Sequence, residues 1–171
     1  MHLLDFGIAR LLDDGQPGPI DTPDRTEFGG VAMTPTYAAP EQIERKPAST
    51  AADVYSLGVV LYELLAGMSP YLPTHGGRGA LEQAILLADP LAPSQAATAQ
   101  SAERCGLTLS ALRRQLRGEL DAVVLMALRK TPAERYDSAE AMAQDLQRWL
   151  DGRPLLARPI SAVERLVRWG R

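Results

Sequence analysis

The side chains of this sequence that could take part in chemistry are mainly oxygen donors. Asp5 stands in the tripeptide Asp5-Phe6-Gly7, directly after a short apolar run at 1–4 that we expect to form a strand. A carboxylate is a hard ligand of the kind that Mg²⁺ prefers, and glycine permits a sharp backbone turn beside it. An acid that merely ends a strand in a turn is the simpler interpretation, and the tripeptide alone does not decide between the two.

The nitrogen and sulfur donors favour no site. His2 and His75 are far apart and lack the paired spacing of a zinc site. Cys105 is the only cysteine, which excludes an internal disulfide, and we expect it to be a half-buried apolar residue. The glycine-rich run 75–79 precedes a predicted helix, but no strand comes before it and no Gly-Lys-Ser/Thr ends it. We therefore predict a surface loop there.

The elements that must position these groups are helices. The clearest spans 50–66, is apolar on nearly all sides and is followed by Gly67, which predicts a central helix with a glycine at its C-terminal end. Further helices are predicted at 41–44, 80–88, 108–116, 119–128 and 138–150. Residues 9–38, rich in glycine and proline, predict a long loop, and residues 89–103 predict a surface insertion.

The composition is that of a soluble globular protein. The 171 residues, with 46% hydrophobic and 23% charged side chains, are enough for one domain with a hydrophobic core. A net charge of −3 argues against nucleic acid as a partner. The sequence shows neither a signal-peptide pattern nor an apolar run of membrane-spanning length, so we expect a cytoplasmic location.

Several motifs in a fixed order resemble the protein kinase family. Asp5-Phe6-Gly7 is followed by a long loop and then by Ala39-Pro40-Glu41, as in the activation segment of kinases. The other similar stretches are the substrate-recognition loop at 34–41, the central helix at 53–65, the loop with a late arginine at 127–136 and a bacterial-type ending at 145–154. The resemblance is to the C-terminal lobe of a bacterial-type serine/threonine kinase. It implies a mainly α fold, with helices around a central apolar helix and with the N-terminal lobe and catalytic loop missing.

The resemblance assigns roles to the two ends of the activation segment, residues 5–41. Asp5 would bind the Mg²⁺ that bridges the phosphates of ATP, and Phe6 would pack inward beside Gly7. Glu41 and Arg135 would form a buried ion pair that clamps the end of the segment to the helical lobe. The role of this pair would be structural and not catalytic.

Residues between these ends gain roles of their own from the resemblance. Thr34 and Tyr37 lie in the substrate-recognition loop, and Thr34 favours serine or threonine as the phosphoacceptor in a protein substrate. The family usually has glycine where Met33 stands. Thr22 and Thr26 lie in the loop where a phosphate could order the segment, although unmodified threonines are an equally good interpretation.

Other motifs that kinases need for phosphoryl transfer do not occur in this sequence. These are a glycine-rich loop, a strand lysine and His-Arg-Asp, all of which precede Asp-Phe-Gly in the family. Asp53 is a helix-start acid by position, and the resemblance implies that it accepts hydrogen bonds from the missing catalytic loop. We therefore expect the chain alone to be inactive, to bind ATP and Mg²⁺ weakly or not at all, and to expose part of its central helix.

Two functions remain open at this point. One is a part of an active kinase with an N-terminal lobe elsewhere, and the other is a stand-alone degenerate lobe that binds a protein. Residues 1–152 are predicted to be the partial kinase domain, with the helical lobe at 42–152. The basic amphipathic segment 153–171 would either pack back on the domain or lie beside the cytoplasmic face of a membrane.

Overall fold

The structure is a computed structural model that describes residues 35–47, 49–72 and 77–156. Within these ranges it holds eight α-helices, two short 3-10 turns and no strand. The helices are α1 (Pro40–Ile43), α2 (Thr50–Ala66), α3 (Arg78–Leu87), α4 (Pro93–Ala96), α5 (Ala99–Arg104), α6 (Leu109–Leu116), α7 (Glu119–Ala127) and α8 (Ala139–Leu150). The 3-10 turns are Pro35–Tyr37 and Pro132–Glu134. The predicted mainly α fold is confirmed.

Helix α2 is the central element around which the others pack. Tyr55 and Val59 are fully buried and Tyr62 is 2% exposed, and α2 packs against α4, α5, α7 and α8. The helix ends at Gly67, which has a φ of 77° and donates its backbone N–H to the carbonyl of Glu63. A left-handed residue at this position suits glycine, because a side chain would be strained there. The predicted central apolar helix is thereby confirmed.

The core consists of three apolar clusters. The first surrounds the buried tyrosines of α2, the second joins α2 to α7 and α8, and the third lies between α5, α6 and α7. Helices α2 and α7 approach closely, because a Cβ atom placed on Gly58 would lie only 2.8 Å from the Cβ atom of Ala127. Small residues at this crossing let α7 cover α2 without a gap.

The prediction of a surface insertion at 89–103 is wrong. Helices α4 and α5 form there, and Pro93, Ser94, Ala97 and Ala102 are buried. The alanine and serine side chains of these helices are short, so both helices can lie close against α2. The expectation for Cys105 is wrong as well, since this residue is exposed at the end of α5.

The chain continues along α8 after that helix ends. Leu155 packs against the second cluster, and the backbone N–H of Leu156 donates to the buried carboxylate of Asp145 at 2.7 Å. The domain boundary at 152 stays a prediction. The predicted strand at 1–4, most of the loop predicted at 9–38 and most of the amphipathic segment predicted at 153–171 lie outside the described residues. None of the helices within the described ranges has the length and apolar character needed to cross a membrane.

Candidate functional site

Four of the predicted site residues lie within the described part of the chain, namely Tyr37, Glu41, Asp53 and Arg135. The others, Asp5, Phe6, Gly7, Thr22, Thr26 and Thr34, lie outside it. Among the described residues, no group of three or more His, Cys, Asp or Glu side chains could hold a metal ion. The magnesium hypothesis therefore concerns Asp5 alone, and the described geometry concerns the end of the predicted activation segment.

The structure brings Glu41 and Arg135 together, although 94 positions separate them in the sequence. Nη1 of Arg135 donates to Oε1 of Glu41 at 2.6 Å, and Nη2 donates to Oε2 at 2.7 Å. The side chain of Arg135 is 0% exposed and that of Glu41 is 5% exposed. The pair is therefore bidentate and removed from water, which is the geometry in which a guanidinium and a carboxylate interact most strongly.

The remaining donors of Arg135 bind backbone carbonyls. Nε donates to the carbonyl of Arg129 at 2.7 Å, Nη1 to that of Ala51 at 2.8 Å, and Nη2 to that of Lys130 at 3.0 Å. The two bonds to Glu41 and these three account for all five N–H groups of a guanidinium. The guanidinium carbon also lies 5.0 Å from the ring centroid of Tyr55. Arg135 thus joins α1, the first turn of α2 and the loop after α7.

Tyr37 is bound to α2 through both its side chain and its backbone. Its hydroxyl donates to Oε2 of Glu63 at 3.2 Å, and its carbonyl accepts from the hydroxyl of Ser56 at 2.9 Å. The negative charge of Glu63, followed by burial, raises the pKa of Tyr37. Neither Ser56 nor Glu63 is among the residues that the sequence predicts for the site. Their spacing of seven residues, which places both on one face of a helix, is the signal that could have found them.

Asp53 occupies a different environment from the buried pair. It lies in the first turn of α2 and is exposed. Leu57 and Leu64, at four and eleven positions further along the same helix, are 41% and 69% exposed. These spacings place the three side chains on one side of α2. One stripe of this central helix, defined by Asp53, Leu57 and Leu64, therefore faces solvent in the described structure.

The family follows from comparison with known proteins. The profile of the protein kinase domain matches residues 1–146, which is most of the chain. The chain therefore belongs to the protein kinase family. Its helical lobe and the bidentate pair between Glu41 and Arg135 are the parts of that domain which the structure describes.

The similar curated proteins are bacterial serine/threonine-protein kinases. The chain is 36% identical over 147 residues to a probable serine/threonine-protein kinase of Corynebacterium efficiens, covering 86% of the chain and 19% of that protein. It is 35% identical over 154 residues to the serine/threonine-protein kinase PknB of Mycobacterium tuberculosis, covering 90% and 21%. With PknD of Chlamydia abortus the identity is 32% over 143 residues, covering 84% and 13%. The chain is of the bacterial serine/threonine type, and it spans about a fifth or less of the length of these relatives.

Proposed function

We propose that this chain is the C-terminal lobe of an ATP- and Mg²⁺-dependent kinase that phosphorylates serine or threonine in proteins. The observation that carries the proposal is the buried pair between Glu41 and Arg135. The pair fixes α1, the end of the predicted activation segment, against a helical lobe of the kinase family. A segment that must hold a protein substrate near ATP needs such a fixed end, because phosphoryl transfer depends on positioning.

The proposal gives each of the predicted residues a task. The magnesium ion, when bound with ATP, would neutralise charge on the phosphates, and Asp5 is the residue that would hold it. Thr34 and Tyr37 would line the site for the acceptor segment of the substrate. The contacts of Tyr37 with Ser56 and Glu63 support this role, because they hold the 3-10 turn Pro35–Tyr37 along α2. Glu41 and Arg135 would act only through the position of the segment.

The exposed stripe of α2 supports the view that further parts of a kinase pack here. Leu57 and Leu64 lie on the most central helix of the lobe, yet both are exposed in the described structure. An apolar surface on a core helix is usually covered by another element or by a partner. The resemblance assigns this place, together with Asp53, to the catalytic loop. We accordingly propose that the 171 residues alone do not transfer phosphate.

We also propose a cytoplasmic location for the kinase, at the inner face of a membrane in the full-length protein. The supports are the acidic, globular composition of the chain and the basic amphipathic pattern of residues 153–171. A membrane fraction that lacks the full-length protein after gentle lysis would contradict the second part of this proposal.

The first test is to read the codons upstream of Met1 and to purify the protein that they extend. If the extension encodes a glycine-rich loop, a strand lysine and His-Arg-Asp, the extended protein should transfer phosphate from ATP to a protein substrate. Asp5→Asn should then lower the rate at least about 100-fold, because the metal loses a charged ligand. Asp151→Asn is the matched control, since this exposed acid lies at the end of α8.

The same experiment can favour the binding-module hypothesis. A stop codon just upstream, with no kinase motifs before it, would overturn the enzyme proposal. The 171-residue chain would then have to fold by itself, and a single cooperative unfolding transition would support a stand-alone lobe. Strong binding of a hydrophobic dye without such a transition would support a lobe that is incomplete.

A further inference from the structure

Lys130 lies where three parts of the lobe meet. Its ammonium group donates to the hydroxyl of Tyr71 at 2.8 Å and to the backbone carbonyl of Ile85 at 2.6 Å. It also lies 4.3 Å from the centroid of the Tyr71 ring. Tyr71 is 4% exposed and Ile85 is fully buried, so these contacts are made largely out of water. The residue belongs to the loop after α7, while Ile85 belongs to α3.

The contact with Ile85 provides a partner for a carbonyl at the end of α3. The last four carbonyls of a helix have no partner within the helix. In α3 the carbonyl of Ala84 accepts from the N–H of Ala88, and the carbonyl of Ile85 is bound by Lys130. A cation at this position also faces the negative end of the helix dipole. The last turn of α3 contains no basic residue of its own, so Lys130 supplies this charge from 45 positions away.

The backbone of Lys130 is bound to the ion pair between Glu41 and Arg135. Its carbonyl accepts from Nη2 of Arg135 at 3.0 Å, and the same nitrogen donates to Glu41. Helix α3 also packs against α1 and against the 3-10 turn Pro35–Tyr37. One residue therefore binds the guanidinium that fixes α1 through its carbonyl, and the end of α3 through its side chain.

We propose that Lys130 is a positioning residue that fixes α3 against the segment Pro35–Ile43. Loss of its ammonium group would release the C-terminal turn of α3 while leaving the pair between Glu41 and Arg135 in place. In a kinase with Lys130 intact, α3 would keep a fixed position beside the substrate-recognition loop. That consequence rests on the proposed function, whereas the fixation of α3 does not.

Hydrogen exchange of the 171-residue chain tests the fixation directly. Lys130→Met keeps an unbranched side chain that is one atom shorter, and it removes the donors. We expect the amides of the last turn of α3 to exchange about 10-fold faster in this variant, because hydrogen bonds to a charged group are lost. The amides of α7 and α8 should keep their protection, which separates a local release from general unfolding.

The sequence offers a matched control and a graded variant. Lys46 is the only other lysine, is exposed and bridges to Glu44, so Lys46→Met should leave exchange in α3 unchanged. Tyr71→Phe removes the hydroxyl that Lys130 binds but leaves the carbonyl of Ile85, and it should accelerate exchange in α3 less than Lys130→Met does. Adding Tyr71→Phe to Lys130→Met should then have little further effect on α3, because both changes remove the same contact.

Three results would overturn the inference. Unchanged exchange in α3 of Lys130→Met would show that the contact does not hold the helix. Equal acceleration in α3, α7 and α8 would show a general loss of stability and not a positioning role. Recovery of the wild-type exchange rate in Lys130→Leu would show that apolar packing alone suffices. None of these results depends on phosphoryl transfer, so the inference and the proposed function can fail separately.

A kinetic readout applies if the extended protein proves active. Lys130→Met should then raise KM for a protein substrate about 10-fold, with a smaller change in kcat and in KM for ATP. Equal changes for both substrates would contradict a role at the docking surface, even if exchange in α3 is faster.

Discussion

The two ends of α2 are joined to the rest of the lobe by different kinds of contact. At the N-terminal end a buried guanidinium binds a buried carboxylate and three backbone carbonyls. At the C-terminal end, apart from the bond between Tyr37 and Glu63, the contacts involve small or neutral groups. Gly67 turns the chain, and the N–H of Thr98 donates to the carbonyl of Ala66. At the start of α5, the side chains of Thr98 and Ser101 each accept a hydrogen bond from the backbone N–H of the other residue.

This difference separates two ways of fixing a helix. A buried ion pair makes a change of charge costly, because each partner leaves an uncompensated charge when the other is removed. Close packing around glycine and alanine makes an increase in side-chain size costly, because an added methyl group has no room. The charged end is joined to α1, the end of the predicted substrate-recognition loop, and the neutral end lies next to α4 and α5. Substitutions at the two ends should therefore differ in size and in cause.

The largest effect is expected from Glu41→Gln. The amide keeps the shape of the side chain but leaves the charge of Arg135 buried without a counter-ion. We expect the free energy of unfolding to fall by about 3–5 kcal/mol. Denaturant unfolding measures this loss. Glu44→Gln is the control, since Glu44 lies three positions later, is exposed, and should change stability by less than about 0.5 kcal/mol.

A loss below about 1 kcal/mol for Glu41→Gln would mean that the pair behaves like a surface salt bridge. In that case the bonds from Arg135 to backbone carbonyls would be the main contribution, and the contrast between the two ends of α2 would disappear. Arg135→Met would then still be destabilising, because it removes those bonds as well.

At the neutral end, Gly67→Ala should have the next largest effect. The φ of 77° disfavours any side chain, and a Cβ atom there would lie 2.8 Å from the hydroxyl oxygen of Thr98. We expect a loss of about 2–3 kcal/mol from strain and crowding together. Gly106→Ala separates these causes, because Gly106 has a φ of 65° and no atom within 4 Å of the added Cβ. Equal losses in the two variants would exclude crowding by Thr98.

How far the sequence predicts this structure differs between the same two ends. The 17-residue helix α2 could be predicted within its observed bounds, because a continuous apolar run ends at a glycine. The partners of Glu41 and Arg135 could be expected only from the family resemblance, since no local pattern connects residues 94 positions apart. Helices α4 and α5 were missed because short helices of small residues have the composition of a loop. The role of Lys130 depends on a contact with α3 that only the folded chain creates.

Alkaline pH should weaken both ends of α2 through the buried tyrosines. Burial is the largest cause that raises the pKa of Tyr71 and of Tyr62, each to about 12. Burial is also the largest cause that raises the pKa of Tyr55. An unfolded chain ionises its tyrosines near pH 10, so the raised values favour folding only while the hydroxyls stay neutral. Stability should thus be constant below about pH 10 and fall between about pH 10 and 12.

Tyr71→Phe is the variant that sharpens this alkaline test. It should remove on the order of 2 kcal/mol of the decrease, because one raised pKa no longer contributes. Denaturant unfolding at several pH values measures the decrease, and the absorbance of tyrosinate reports ionisation in the folded protein. A folded chain whose tyrosines all ionise near pH 10 would contradict the burial of these hydroxyls.

The smallest effect is expected where a carboxylate is bound by neutral donors. Asp121, in α7, accepts from the backbone N–H of Ser94 at 2.9 Å and from its hydroxyl at 2.7 Å. Unlike Glu41, Asp121 is only half-buried, and the two bonds come from a serine. We expect Ser94→Ala to lower the free energy of unfolding by about 1 kcal/mol, because one hydrogen bond is lost and water can still reach the acid.

The corresponding change at the acid gives the sharper comparison with Glu41. Asp121→Asn keeps an oxygen for the N–H of Ser94 and creates no uncompensated charge, so it should cost no more than about 1.5 kcal/mol. Glu119→Gln, at an exposed acid in the same helical turn, is the control. If Asp121→Asn proved as costly as Glu41→Gln, the charge of the carboxylate would matter more than the nature of its donors. Neither the deeper burial of Glu41 nor the presence of a guanidinium would then explain why the charged end of α2 is the more costly one to disturb.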